Sequence, residues 1–437
     1  MRLNIGNFPV HKILFGQETK WEDGVLTVNR QEAIAALNAD GKLKNVDLQV
    51  AYPGESVRIL PVHEIVEPRA ALGGRPTFPG YTGPLCPAGE GTLHALKGMS
   101  VMAVGKYGGW MEGILDMSGP MAERTHYADL INLCFVAENV DPEENSGQVQ
   151  HKNLNFRLAA HRLAEYLAQA VRDQKPRVWE QYELTDVHQL HLPRVALVIQ
   201  LSSFYDKMDG FDDLLYGIDV RLMIPSLLHP NEVLDGAVCG SALITAGQRF
   251  YTYDYQNFPI LKKLYQEHGK TIDFAGVIIS DIGQTTPRKI RSAIRVAKIA
   301  QTIGCDGAIY ASHGDGNLDV DFFKTIGELE KVGIKTVGMG NEAPGRDGTS
   351  PIKSMLDPVA DAMVAAGNGN QVIELPPMER IIGDLDSVMR DKYPGCWQED
   401  EVYGPSLRPD GSIIMDAHSI VGHDGASGWS HMTMKSF

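Results

Sequence analysis

Three short stretches of the 437-residue chain gather side chains able to do chemistry. The first, SHGDGNLDVD at 312–321, holds His313 and three aspartates within ten positions. Asp315, Asn317, Asp319 and Asp321 alternate as the oxygen ligands of a calcium loop do, but no glutamate closes the set: Lys324 and Thr325 stand nearby and Glu328 comes too late. The expected role is a polar capping turn ahead of Phe322, with His313 and Asp315 as ligand contacts on the functional reading. No metal site is assigned. The second stretch, GNEAPGRDGTS at 340–350, has glycines that permit tight turns with positive φ. Its Arg346 has the planar fork that holds a carboxylate through two hydrogen bonds. The alternative is an ion pair within the turn, with Asp347 or Glu342 as partner. The third, DGAVCGS at 235–241, carries Cys239 and Ser241. A serine or cysteine held in a strained turn attacks the preceding carbonyl, and elimination then leaves a pyruvoyl group that condenses with amines. The alternative here is a plain turn with a buried thiol. The aromatic run that follows supplies Tyr253 and Tyr255 as candidates to line a site.

Strands and helices must hold these stretches in place. In the second half, apolar runs at 194–200, 274–279, 307–311 and 335–339 have strand length. Such runs suit strands buried on both faces of a parallel sheet. Between them lie helical patterns at 287–303 and 322–332. In the first of these, Ile290, Ile294, Ala297 and Ile299 form the expected apolar face, with Arg288, Lys289, Arg291 and Arg295 outside. Strands alternating with helices predict an open α/β sheet, whose ligands sit at the carboxyl ends of the strands. That places interest on Ser280 and Asp281, on 312–317 and on 340–342. The first half reads as strands and turns: 46–50, 56–66, 99–105 and 131–136 as strands, 73–91 as an extended Gly/Pro loop, 154–171 as an amphipathic helix. The polar stretch at 176–191 is the candidate linker. The expected fold class is therefore α/β, with a strand-rich N-terminal domain over 1–190 and a mostly parallel, open α/β sheet over 191–437 that carries the candidate site.

Bulk composition narrows the partners. Forty basic and 55 acidic side chains leave a net charge of −15, which repels nucleic-acid phosphates and anionic membranes. Five widely spaced cysteines without a CxxC pair argue against a disulfide framework and a zinc knuckle. No targeting segment and no long apolar run are expected, which makes the cytoplasm the default. Phosphate-binding glycine loops and the GxSxG elbow are absent.

Several segments, taken in order, resemble one family. They are Arg2-Leu3 with Ile5-Gly6-Asn7, PGESVRILPVHEIVEPR (53–69), GILDMSGPMAE (113–123), LLHPNEVLDGAV (227–238) and YQNFP (255–259). GRDG (345–348), ELPPMERIIG (374–383) and LRPDGSI (407–413) complete the set. Together they resemble the α/β-subunit proprotein of component B in glycine, sarcosine and betaine reductases, with the D-proline reductase proprotein a more distant relative. The resemblance implies an oxidoreductase subunit in an oligomeric complex. It implies that the chain cleaves itself near the middle at a cysteine, whose residue becomes a pyruvoyl-type carbonyl. A small amino acid or N-methylated acid condenses there, and a thiol or selenocysteine on a separate partner subunit attacks the α-carbon and releases the amine. Counted from DGAV, the cysteine position falls at Leu243, which has no nucleophilic side chain. Either Cys239 or Ser241 serves instead, or the chain stays uncut, carries no such cofactor and acts as a binding or scaffolding subunit of a related complex. A stand-alone ligand-binding α/β protein is the third reading.

Overall fold

Residues that alternate in polarity build the first part of the molecule as two larger sheets and a small three-stranded one of Lys12–Gly16, Lys20–Glu22 and Val25–Asn29. The computed structural model describes residues 1–106, 112–141, 152–202, 213–240, 245–283, 285–342, 357–389, 399–400, 404–423 and 425–429. The N-terminal strands are β1 (Arg2–Pro9), β2 (Leu43–Ala51), β3 (Val57–Val66), β4 (Arg69–Ala71), β5 (Gly91–Lys97), β6 (Met99–Val104), β7 (Gly113–Asp116) and β8 (Ile131–Asn139). Helix α1 (Lys152–Ala168) and strand β9 (Val178–Glu183) follow. One sheet runs β9-β1-β5-β4 and the other β7-β3-β6-β8-β2.

Two expectations change here. The candidate linker contains β9, which pairs antiparallel with β1 from Arg2 opposite Glu183 to Asn7 opposite Val178. Its Val178 and Trp179 are exposed because it is an edge strand, so its apolar residues do not mark a buried face. Strand β3, read as half-buried, is buried at every position. Val66 packs in the core with Phe156 and Leu163 of α1. Ile59, Val62 and Ile65 pack with Tyr251, and Leu60 with Ile373 and Ile413 from far along the chain.

The second half is the α/β sheet. Its elements are β10 (Arg194–Leu201), β11 (Leu214–Leu215), β12 (Ser226–Leu228), β13 (Val238–Cys239), α2 (Thr252–Asn257), α3 (Pro259–Glu267), β14 (Asp273–Asp281), α4 (Thr286–Thr302), β15 (Gly307–Ala311), α5 (Asn317–Lys331), β16 (Lys335–Glu342) and β17 (Met363–Asn368). The order across the sheet is β12-β14-β10-β15-β16-β17, parallel except for the edge strand β12. Helices α4 and α5 cover one face, over Ala196, Val198, Ile278 and Tyr310. Phe250, Tyr255 and Phe258 cover the other, over Leu197, Ile199, Val277 and Ile279.

Helix α4 is turned relative to the expected face. Ser292, Ala293, Val296, Ala297 and Ala300 face the sheet, while Ile290 and Ile294 are exposed. Small side chains let the helix lie close on the strands. Lys289, expected outside, is buried because its ammonium pairs with Asp321 on α5. Among the described residues no helix is long and apolar enough to cross a membrane.

The chain then returns to where it began. Strand β18 (Arg380–Gly383) adds in parallel to β3, from Arg380 opposite Val57 to Gly383 opposite Leu60. Arg58 fastens this return. Its buried guanidinium makes two hydrogen bonds to Asp116, of 2.7 and 2.9 Å, and donates to the carbonyls of Pro376 (2.6 Å) and Gly411 (3.3 Å).

Candidate functional site

In chain order β10 comes first, β14 joins it on one side and β15 on the other. The direction of winding therefore reverses between β10 and β15, and such a reversal opens a crevice at the carboxyl ends of the strands. The residues there are polar although fully buried. Gln200 lies one residue before the end of β10 with Ser202 just beyond it, Ser280 and Asp281 end β14, Ser312 and His313 follow β15, and Asn341 lies near the end of β16. Ser312 Oγ donates to Gln200 Oε1 at 2.5 Å, and the Ser202 N–H donates to Asp213 Oδ2 at 2.7 Å. Ser292 donates to Asp281, and Arg288 lies 3.8 Å from the same carboxylate. Burial raises the Asp281 pKa, and the Ser292 hydrogen bond acts against that shift.

His313 stacks on Phe250, with ring centroids 4.6 Å apart and planes 9° apart. Its Nδ1 accepts the Phe250 N–H at 3.4 Å. Burial pushes its pKa down to about 3, the Gln200 main chain working the other way, so the ring is neutral. Its Nε2, both amide atoms of Asn341 and the Nε2 of Gln200 are buried and have no hydrogen-bond partner among the described residues. Leaving a buried polar atom without a partner costs about 1–3 kcal/mol, so four such atoms at one strand-end crevice call for something to bind them.

The mid-chain turn meets this crevice. Strand β13 pairs with β11, Cys239 opposite Leu214, which places the turn next to Asp213. Both main-chain groups of Gly240 are held: its N–H donates to Thr252 Oγ1 at 2.9 Å, and its carbonyl accepts from the buried Arg157 of α1. Arg157 Nε lies 3.6 Å from Glu64, and the Thr252 N–H donates to Glu64 at 3.2 Å. Burial raises the Glu64 pKa, with Arg157 as the main opposing influence. Arg249 lies over the Tyr251 ring and donates to the Val62 carbonyl, which brings a second buried cation near Glu64.

The candidates from sequence are not all together. Cys239 is buried and its thiol is pushed up by that burial, with Glu64 adding and Arg157 opposing, so it stays protonated. Tyr255 donates to Asp213 Oδ2 at 2.8 Å beside the crevice. Tyr253, two residues earlier in α2, packs instead with Tyr127 and Trp429 in the N-terminal core. The 312–321 stretch is not one loop. Helix α5 starts at Asn317, earlier than expected, so Asp319 and Asp321 are helical and buried. Asp315 meets Gln248 Nε2 at 3.1 Å and His418 at 3.3 Å, whereas Asp321 meets Lys289 and the Gly283 N–H. The aspartates face different partners, which undoes the calcium-like spacing. Ser241, Leu243 and Arg346 lie outside the described residues.

Sequence reasoning missed Gln200, Arg157 and Arg249, and it singled out Asn341 only as part of 340–342. Gln200 looks like an ordinary polar residue near a strand end, and the arginines sit in no motif. The signal for Asn341 was its position after an apolar strand run, at the end where ligands bind. Cys239 is a buried neutral thiol, and Leu243 has no nucleophile.

Comparison with known proteins matches this architecture to one family over almost its whole length. The family model for glycine/sarcosine/betaine reductase component B subunits matches residues 1–435. The chain is 45% identical to the betaine reductase complex component B subunit alpha of Peptoclostridium acidaminophilum, over 100% of both chains. It is 37% identical to the glycine reductase complex component B subunits alpha and beta of Acetoanaerobium sticklandii, and 33% to the sarcosine reductase complex component B subunit alpha of Peptoclostridium acidaminophilum, again over 100% of both chains. No solved structure matches the chain.

Proposed function

The chain belongs to the family of glycine, sarcosine and betaine reductase component B subunits, and from that premise we propose that it is the substrate-handling subunit for a betaine-type acid, working uncut and without a carbonyl of its own. A thiol or selenol on a separate partner subunit breaks the C–N bond. The observation that carries this reading is Leu243 at the position where the resemblance calls for a cysteine, in a chain 45% identical to a betaine reductase subunit.

The chemistry favours the same pairing. Condensation with a carbonyl needs a nitrogen lone pair, and a quaternary nitrogen has none. It also needs no such activation. When a selenolate attacks the α-carbon, a Se–C bond forms and the C–N bond breaks. Its electron pair leaves on nitrogen as a neutral tertiary amine, and no proton has to be supplied. A dithiol then supplies the two electrons that break the Se–C bond, so the carboxymethyl group leaves as acetate, the selenolate is restored and the dithiol becomes a disulfide. The contribution of this chain is to hold the acid with its α-carbon presented to the partner.

The test has two parts. Intact-mass analysis of the purified chain is expected to show one full-length species that does not react with a hydrazide. The chain combined with its thiol- or selenol-bearing partner and a dithiol is expected to release trimethylamine from glycine betaine faster than methylamine from sarcosine. Two fragments with a carbonyl-blocked terminus at 239 or 241 would sink the reading, as would turnover of glycine alone.

A further inference from the structure

We propose that the His313 imidazole and the Asn341 amide form the subsite that grips the substrate carboxylate, one oxygen on His313 Nε2–H and the other on Asn341 Nδ2. The inference rests on the functional reading above and adds to it the place and the contacts of one end of the substrate.

The geometry points this way in three steps. First, the Phe250 N–H lies 3.4 Å from His313 Nδ1, an arrangement that suits the tautomer with its proton on Nε2, which has no hydrogen-bond partner among the described residues; the Gln200 main chain is the competing acceptor for this ring. Second, β15 and β16 run in register with Ala311 opposite Met339, and the ladder continues through the Ser312 N–H to the Met339 carbonyl. Side chains on a strand alternate between faces. His313, two residues past the end of β15, and Asn341, two residues further along β16, continue that register at the same end of the sheet. Asn341 brings two more donors on Nδ2, and neither of its amide atoms has a partner among the described residues. Third, both side chains are fully buried at the carboxyl end of a parallel sheet, beside its reversal of winding, where ligands bind. Asp281 at the end of β14 has Arg288 3.8 Å away, and Asp213 accepts from the Ser202 N–H. Aimed neutral donors can hold a carboxylate at such a buried strand end.

The experiment is isothermal titration of the purified full-length chain with glycine betaine, choline and sodium acetate. Choline keeps the trimethylammonium head and lacks the carboxylate. Betaine is expected to bind at least tenfold more tightly than either. Asn341→Asp, which keeps the shape but turns a donor toward the ligand into a charged acceptor, is expected to weaken betaine at least tenfold and to leave choline within twofold. His313→Phe keeps the stack on Phe250 and removes the donor, with the same expected loss. His313→Gln, whose amide nitrogen can reach the Nε2 position, should recover most of the affinity. Circular dichroism and thermal midpoints confirm that each variant folds. Equal binding of betaine and choline, acetate binding as tightly as betaine, or a folded Asn341→Asp that binds betaine like the wild type would overturn the assignment. Binding of no amino acid at all by the wild-type chain would remove the functional reading itself.

Discussion

At the scale of single residues, burial decides which groups can react. Cys239 has the right type for a nucleophile, but the surroundings keep its thiol protonated and out of reach. Iodoacetamide at pH 8 is expected to alkylate the half-buried Cys86 at least tenfold faster than Cys239, and to reach both equally once the chain is unfolded; peptide mass mapping reads the difference. The residue types at 235–241 and 312–321 were legible because their small or acidic side chains break the surrounding apolar pattern. Their partners were not. Nothing local announces that Arg157 reaches the Gly240 carbonyl 83 positions away, or that Arg58 meets the Gly411 carbonyl. The pair of Arg58 with Asp116 makes a prediction at this scale. Removing one partner of a buried ion pair leaves the other charge uncompensated, typically about 3–5 kcal/mol. Asp116→Ala is expected to lose stability of that order in urea unfolding, with the N-terminal strands and the 376–411 segment loosening together.

Among elements, legibility followed apolar run length. The strand expected at 307–311 is β15 from Gly307 to Ala311, and 335–339 extends only to Glu342. Helix faces were harder to read. On α4 the large isoleucines suggested one face, yet the structure buries the alanines, since close approach to a sheet favours small groups. The same closeness appears on the next strand. A Cβ added at Gly338 would run into Phe322 Cζ and lie 2.9 Å from Ile326 Cδ1, both on α5. Gly338→Ala is expected to cost about 1–3 kcal/mol by forcing α5 away from β16. A lowered urea midpoint with unchanged slope would show it. Helix α5 also supplies Asp321 to Lys289, so the loss should spread to α4.

Over the whole molecule, buried histidines tie stability to pH. Burial pushes His161 down to about 3, with the Arg157 carbonyl opposing. In the unfolded chain a histidine takes up its proton near pH 6.5. The folded state keeps His161 neutral, so its share of stability is complete above about 6.5 and is lost as pH falls toward 3, by about 1.4 kcal/mol per pH unit. Asp235 acts with the opposite sign. Burial raises it to about 6 despite Arg75, so its share is present at low pH and fades as pH rises through 6. His161→Gln should remove the first slope. The stability gap between wild type and variant is expected to narrow by about 2 kcal/mol between pH 6.5 and pH 5, as read by urea unfolding at each pH. The apolar pattern of the sequence predicts neighbours up to β17 and no further. The return of β18 onto β3 links residues more than three hundred positions apart, and no local pattern encodes that. This return has a consequence for any relative of this chain that is severed in the middle. The piece after the break would still supply a rung to the sheet of the piece before it, and Arg58 would still be clasped around it. Two such pieces would travel through a sizing column as a single particle and part only in denaturant, like a broken link that stays threaded through its neighbour.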